Sequence, residues 1–148
     1  MRRVVIGLKG DAVEQELLDW VSHHLRRTSV LWLVTAMGRP PKCAPALAER
    51  MDSILRRRAA ENAAAAAAAL RQAGFTAVYT VADYGGAPKM LLAVAEKVEA
   101  DLILLGRPRS SGFRLIRRPL VQRIIDDGRF ALLVAGPGPR CGNHAAPR

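Results

Sequence analysis

The chain has 148 residues, half of them hydrophobic and 24% charged, a composition that excludes a disordered segment and suits one domain with its own core. No apolar run approaches the roughly 20 residues that cross a bilayer, so no transmembrane segment is expected and a cytoplasmic protein is. The net charge of +10 is uneven: residues 1–106 carry 14 basic and 11 acidic side chains, and residues 107–148 carry 9 and 2, so the second region needs its own explanation.

The opening Met1-Arg2-Arg3-Val4-Val5-Ile6-Gly7-Leu8-Lys9 has too short an apolar stretch for a signal peptide and reads as a strand from Arg3 to Leu8. Its unbroken apolarity fits a strand covered on both faces. Asp11 reads as a helix N-cap, with Glu14 completing a capping box. The helix runs to about Arg27, and Val13, Leu17, Trp20, Val21 and His24 or Leu25 form its inward stripe. Val30 to Ala36 is a second strand. After Gly38-Arg39-Pro40-Pro41 a long helix spans roughly Ala44 to Ala73, with seven alanines in a row, Ala63 to Ala69. Alanine favours helix and lets a helix pack close to a sheet. Gly74 ends it.

Phe75 to Ala82 reads as a third strand, and Pro88 suits the first turn of a helix reaching about Glu99. Ala100 to Gly106 is a short buried strand, residues 107–118 a basic loop, Pro119 to Asp127 a helix and Phe130 to Ala135 a fifth strand. Residues 1–136 make the domain, and 137–148 read as a flexible tail. Strands that alternate with helices and are apolar throughout predict an α/β fold: a five-stranded parallel sheet, doubly wound, with helices on both faces. Ligands in such sheets sit outside the carboxyl ends of the strands, where the strand order switches direction.

Catalytic and metal constellations are missing from the sequence, so no enzyme and no metal are expected. His23 and His24 are adjacent on a helix and point about 100° apart. No Gly-x-x-x-x-Gly-Lys-Ser/Thr loop occurs. Ser110 and Ser111 have no base placed by sequence. Cys43 and Cys141 sit in no metal-ligand spacing and read as thiols in a reducing compartment.

Ala100-Asp101-Leu102-Ile103-Leu104-Leu105-Gly106 is similar to the "ADLIVVG" strand of universal stress proteins. Gly85 to Leu92 resembles the family's Gly-x-Pro-Ala segment, with the proline displaced by one position. Phe130-Ala131-Leu132-Leu133-Val134 is similar to the family's last strand. The likeness spans about residues 3–135. It implies a nucleotide-binding-like fold with strand order 3-2-1-4-5, and a homodimer paired through the last strand at Phe130, Leu132, Leu133 and Val134.

It also implies where a nucleotide would sit. ATP-binding members carry Gly, two residues, Gly, nine residues, then Gly and Ser or Thr. Glycines admit the phosphates, and the final pair opens a helix whose N–H groups hold an anion. Laid on this chain, the pattern falls on Gly106, Arg109, Pro119 and Leu120, and only Gly106 survives. Arg109 obstructs close backbone approach, Pro119 has no N–H, and Leu120 has no hydroxyl. Lys9 stands where the family has an aspartate facing the nucleoside. Gly7, Ala36, Leu105 and Gly106 would line the pocket, with Arg107 beside it and Val121 on the helix opening.

The reading that follows is a regulatory domain without a cofactor, acting through dimerisation and partners. The alternative is a sensor for ATP, another adenine nucleotide or another phosphate-bearing small molecule. Arg107, Arg109, Arg114, Arg117 and Arg118 suit bidentate phosphate contacts. Nucleic acid is disfavoured, because Phe113 is the one aromatic among them.

Overall fold

A computed structural model describes residues 1–9, 14–40, 42–106 and 114–135, residues 114–120 as backbone. The elements are β1 (Arg3–Leu8), α1 (Gln15–His24), β2 (Val30–Ala36), α2 (Pro45–Gln72), β3 (Ala77–Asp83), α3 (Ala87–Lys97), β4 (Leu102–Gly106), α4 (Arg114–Asp127) and β5 (Ala131–Ala135). All strand pairs are parallel, in the order β3-β2-β1-β4-β5. The expected doubly wound sheet is present.

Alternation along the strands sends side chains to two separate cores. Val4 and Ile6 of β1 join Leu31, Leu33 and Leu104 beneath α1 and α2, against Leu17, Leu18, Val21, Ala66, Ala67 and Leu70. Val5 joins Val34, Ile103 and Leu105 beneath α3 and α4, against Leu91, Ala95 and Ile124. Both faces of the central strands are dry, which explains their unbroken apolar sequence.

Helix α2 stops in a double hydrogen bond around Gly74, at φ +101°. The Gly74 N–H donates to Arg71 O at 3.0 Å, and the Phe75 N–H donates to Leu70 O at 3.1 Å. That closure spends Phe75 on the turn, so β3 begins at Ala77 and not at Phe75. Phe75 is buried under the Arg27 guanidinium, whose centre lies 4.7 Å from the ring.

Two other expectations need correction. Helix α4 begins at Arg114, so Arg114, Arg117 and Arg118 belong to its first turns and not to a loop. Leu115 and Ile116 extend the apolar period upstream of Pro119, whose ring falls on the sixth helical residue. There its missing N–H forfeits one interior bond. Helix α1 ends at His24, short of the expected Arg27. Of the two residues expected to close its inward stripe, Leu25, just past the end, packs on the core, while His24 is exposed, stacked on Trp20 at 4.3 Å. Asp11 and Val13 lie outside the described residues.

Candidate functional site

The strand order reverses between β1 and β4, so the crevice to examine lies where Leu8, Lys9 and Gly106 end those strands. Its occupant is a side chain of this protein. Glu14, just before α1, accepts the Lys9 N–H at 3.2 Å. A Cβ built on Gly106 would stand 3.0 Å from the same carboxylate, at Oε1. Gly106 therefore leaves room for Glu14, which puts a negative charge at the mouth of the switch point. The expected capping box pairs Glu14 with Asp11, which lies outside the described residues; among the described residues Glu14 accepts from the end of β1.

Gly7 has a packing role. A Cβ there would meet Leu105 Cδ2 at 2.6 Å and both Leu91 methyls at 3.3 Å. Helix α3 lies close on the sheet at this point, and Leu105 belongs to the second core at 2% exposure. Ala36 ends β2 half-buried, in register with Asp83. Val121 packs from α4 onto the second core. Arg107 and Arg109 lie outside the described residues, and Pro119 and Leu120 are placed only as backbone of α4. The structure thus gathers Lys9 and Gly106 around the crevice, and it turns Gly7, Leu105 and Val121 into the core.

A second polar group stands on the same edge of the sheet. The Tyr84 hydroxyl, just past β3, donates to Asp52 of α2 at 2.5 Å. Arg56, one turn on, donates to both Asp52 oxygens at 3.1 Å, lies 4.8 Å over the Tyr84 ring and sits 3.9 Å from Asp83. The phenol's hydrogen bond holds Asp52 below the usual carboxylate range. The same bond pushes the Tyr84 hydroxyl up, because ionisation would set a phenolate against a carboxylate. Nothing in the sequence pairs residues 32 apart, so this group was invisible there. Beside it Gly38 and Gly85 bridge the loops after β2 and β3, with the Gly85 N–H donating to Gly38 O at 2.8 Å.

Farther round, a cleft of about 470 Å³ opens between α3 and α4, lined by Pro88, Lys89, Leu92, Arg123, Asp126 and Asp127. It includes none of the switch-point residues. Asp127 is held below the ordinary carboxylate range by the Arg129 guanidinium, 2.6 Å away. Among the described residues no His, Cys, Asp or Glu group is arranged to hold a metal. His23 and His24 each turn Nδ1 to the carbonyl one turn back, at 2.6 and 2.8 Å, so they serve α1 separately. Cys43 is an exposed thiol, and Cys141 lies outside the described residues. No helix among the described residues is long and apolar enough to cross a membrane.

The sheet order and the crevice between β1 and β4 define a doubly wound α/β domain of the nucleotide-binding type. The family model of the universal stress proteins matches residues 1–128, and the chain belongs to that family. Solved structures agree on the fold. The hypothetical protein MJ0577 superposes with a TM-score of 0.74 at 14% identity, over 93% of this chain and 96% of its own. A universal stress protein from Archaeoglobus fulgidus, in complex with dAMP, gives 0.58 at 16% identity, over 91% and 98%. A universal stress protein in complex with cAMP gives 0.59 at 17% identity, over 93% and 98%. No curated protein sequence matches the chain.

Proposed function

We propose that this domain is a non-enzymatic regulatory member of its family that does not hold ATP in the family's manner and acts through self-association and partners in the cytoplasm. The observation that carries this reading is Glu14. Its carboxylate stands against Gly106, the one glycine of the phosphate pattern that this chain keeps. A nucleotide's phosphates brought to the same point would meet like charge. Pro119 and Leu120 add to the case by chemistry alone, since Pro119 has no N–H where the pattern has Gly and Leu120 no hydroxyl where it has Ser or Thr.

A second reading has its own support. Structures of similar fold are complexes with cAMP and with dAMP. Helix α4 has no acidic residue in its first turn and opens on Arg114, where an anion would offset both the helix dipole and the arginine charge. On this reading the chain senses a phosphate-bearing ligand by arginine side chains.

Calorimetric titration with ATP, AMP and cyclic nucleotides separates the two. Wild type is expected to stay silent. The Arg109→Gly, Pro119→Gly, Leu120→Ser variant, with Glu14→Gln added, is expected to gain ATP binding. Micromolar binding of any of these nucleotides by wild type would overturn the first reading in favour of the second.

A further inference from the structure

Helix α2 spans 28 residues, about 42 Å at 1.5 Å per residue, and its buried residues all fall between Ala59 and Leu70. The first half is covered differently. Leu47, Met51, Ile54 and Leu55 are 52%, 40%, 61% and 36% exposed. At 100° per residue they centre about 120° around the helix from the core-facing line of Ala59, Ala63 and Leu70. Asp52 and Arg56, on the core-facing line, pin this half to Tyr84. The apolar stripe is thereby held facing outward.

The spacing of the stripe is specific. Leu47, Met51 and Ile54 step by four and three, the seam spacing of a helix that packs lengthwise on another helix, and Leu55 lies on one flank of that seam. Arg50 and Arg57 then occupy the same flank, one heptad apart, and Arg58 closes the seam. Both acids of this half, Glu49 and Asp52, lie on the far side by the same spacing.

A second copy fits the seam poorly. Laid parallel, it would offer Ala48 and Leu55 to the flanking arginines. Laid antiparallel, it would set Arg50 and Arg57 against themselves. We infer that the first half of α2 is a docking ridge for an amphipathic helix of a partner protein, one with acidic residues beside its apolar seam. This rests on the partner-binding reading above and gives that partner a chemistry.

The test uses two fluorescent 21-residue helical peptides with Leu and Ile at seam positions and either Glu or Lys at every flanking position. Anisotropy with the full chain is expected to show the Glu peptide bound at least tenfold tighter than the Lys peptide. Arg50→Glu with Arg57→Glu should reverse the order. Ile54→Ser, at a site outside the core, should weaken the Glu peptide about tenfold. Circular dichroism melts would show that both variants keep the wild-type Tm.

Equal affinity for both peptides, or indifference to Ile54→Ser, would overturn the ridge. So would sedimentation showing self-association that Ile54→Ser abolishes, which makes the occupant a second copy. Binding to phosphatidylserine vesicles that the Glu peptide cannot displace would assign the stripe to a lipid surface instead. A failed peptide titration beside silent nucleotide calorimetry removes the ridge alone. Nucleotide binding by wild type removes the regulatory reading whatever the peptides do.

Discussion

Gly7 shows how a residue can look like a ligand contact and be a packing contact. It sits on the central strand one residue short of its carboxyl end, which is where a nucleoside pocket would want a small residue. The space above it is already filled by Leu105 and Leu91. Gly7→Ala would push a methyl to 2.6 Å from Leu105 Cδ2, well inside contact distance. Both leucines are about 2% exposed and have little room to yield. The substitution should cost about 1–3 kcal/mol, read as a lower denaturant midpoint with an unchanged m-value. A fully stable Gly7→Ala protein would mean that the pocket above is open after all. The sequence identified this glycine and could not assign its role, because Leu91 reaches it from 84 residues away through a helix crossing. Glu14 was legible as a helix-start residue by its distance from Asp11. Its reach across to Gly106 depends on which strand lies beside β1, and spacing does not encode that.

The elements were more readable than the residues on them. Apolar runs marked the strands, unbroken in β1, β2 and β4 because these are covered on both faces, while the edge strands β3 and β5 leave Tyr79 and Val134 exposed; Gly74 and Pro88 marked helix ends by backbone chemistry. The sequence places the start of α4 at Pro119, because the proline outweighs Leu115 and Ile116 there, while the helix begins at Arg114. Proline disfavours a helix interior strongly, yet a helix can carry it in its second turn when apolar residues continue the period. The first half of α2 makes the opposite point. Its sequence reads as an ordinary continuation of the helix, and only the structure shows that the core ends at Ala59 and that Asp52, Arg56 and Tyr84 hold the remainder.

That anchor has a definite pH dependence. Asp52 titrates below its ordinary value when folded. Its contribution to stability is therefore present above about pH 4 and lost as pH falls through the lowered value. Tyr84 titrates above its ordinary value when folded. Its contribution is present below about pH 10 and lost as pH rises through the raised value. Tyr84→Phe removes the Tyr84 contribution and the largest part of Asp52's, while Arg56 still faces the carboxylate. The variant's Tm should lie below wild type at pH 7, and the two curves should converge at the acid and alkaline ends. Absorbance titration should show the phenol that ionises above the ordinary tyrosine range missing from the variant. A Tyr84→Phe curve parallel to wild type at every pH would sink the anchor.

At the scale of the whole molecule, charge and edge structure act against each other. Among the described residues strand β5 ends the sheet, with no strand beside its outer backbone groups. Val134 on it is 46% exposed, and Ile125 on the helix before it is 56% exposed. Such an edge invites a second β5, and Leu132 and Leu133 stay half-buried on opposite faces to stiffen it. Each copy carries a net charge of +10, which repels the approach. If the edges pair, added salt should screen that repulsion and strengthen the dimer, the reverse of an interface built on ion pairs. Sedimentation at micromolar concentration should therefore show a dimer whose dissociation constant falls between 50 mM and 500 mM salt. Val134→Lys should shift it to monomer with little change in Tm, since the side chain is half exposed and the substitution adds charge where the strands would meet. A monomer at every salt concentration would remove β5 as an interface. A dimer that weakens with salt and ignores Val134→Lys would move the contact to a surface where the arginines of one copy meet the acids of the other.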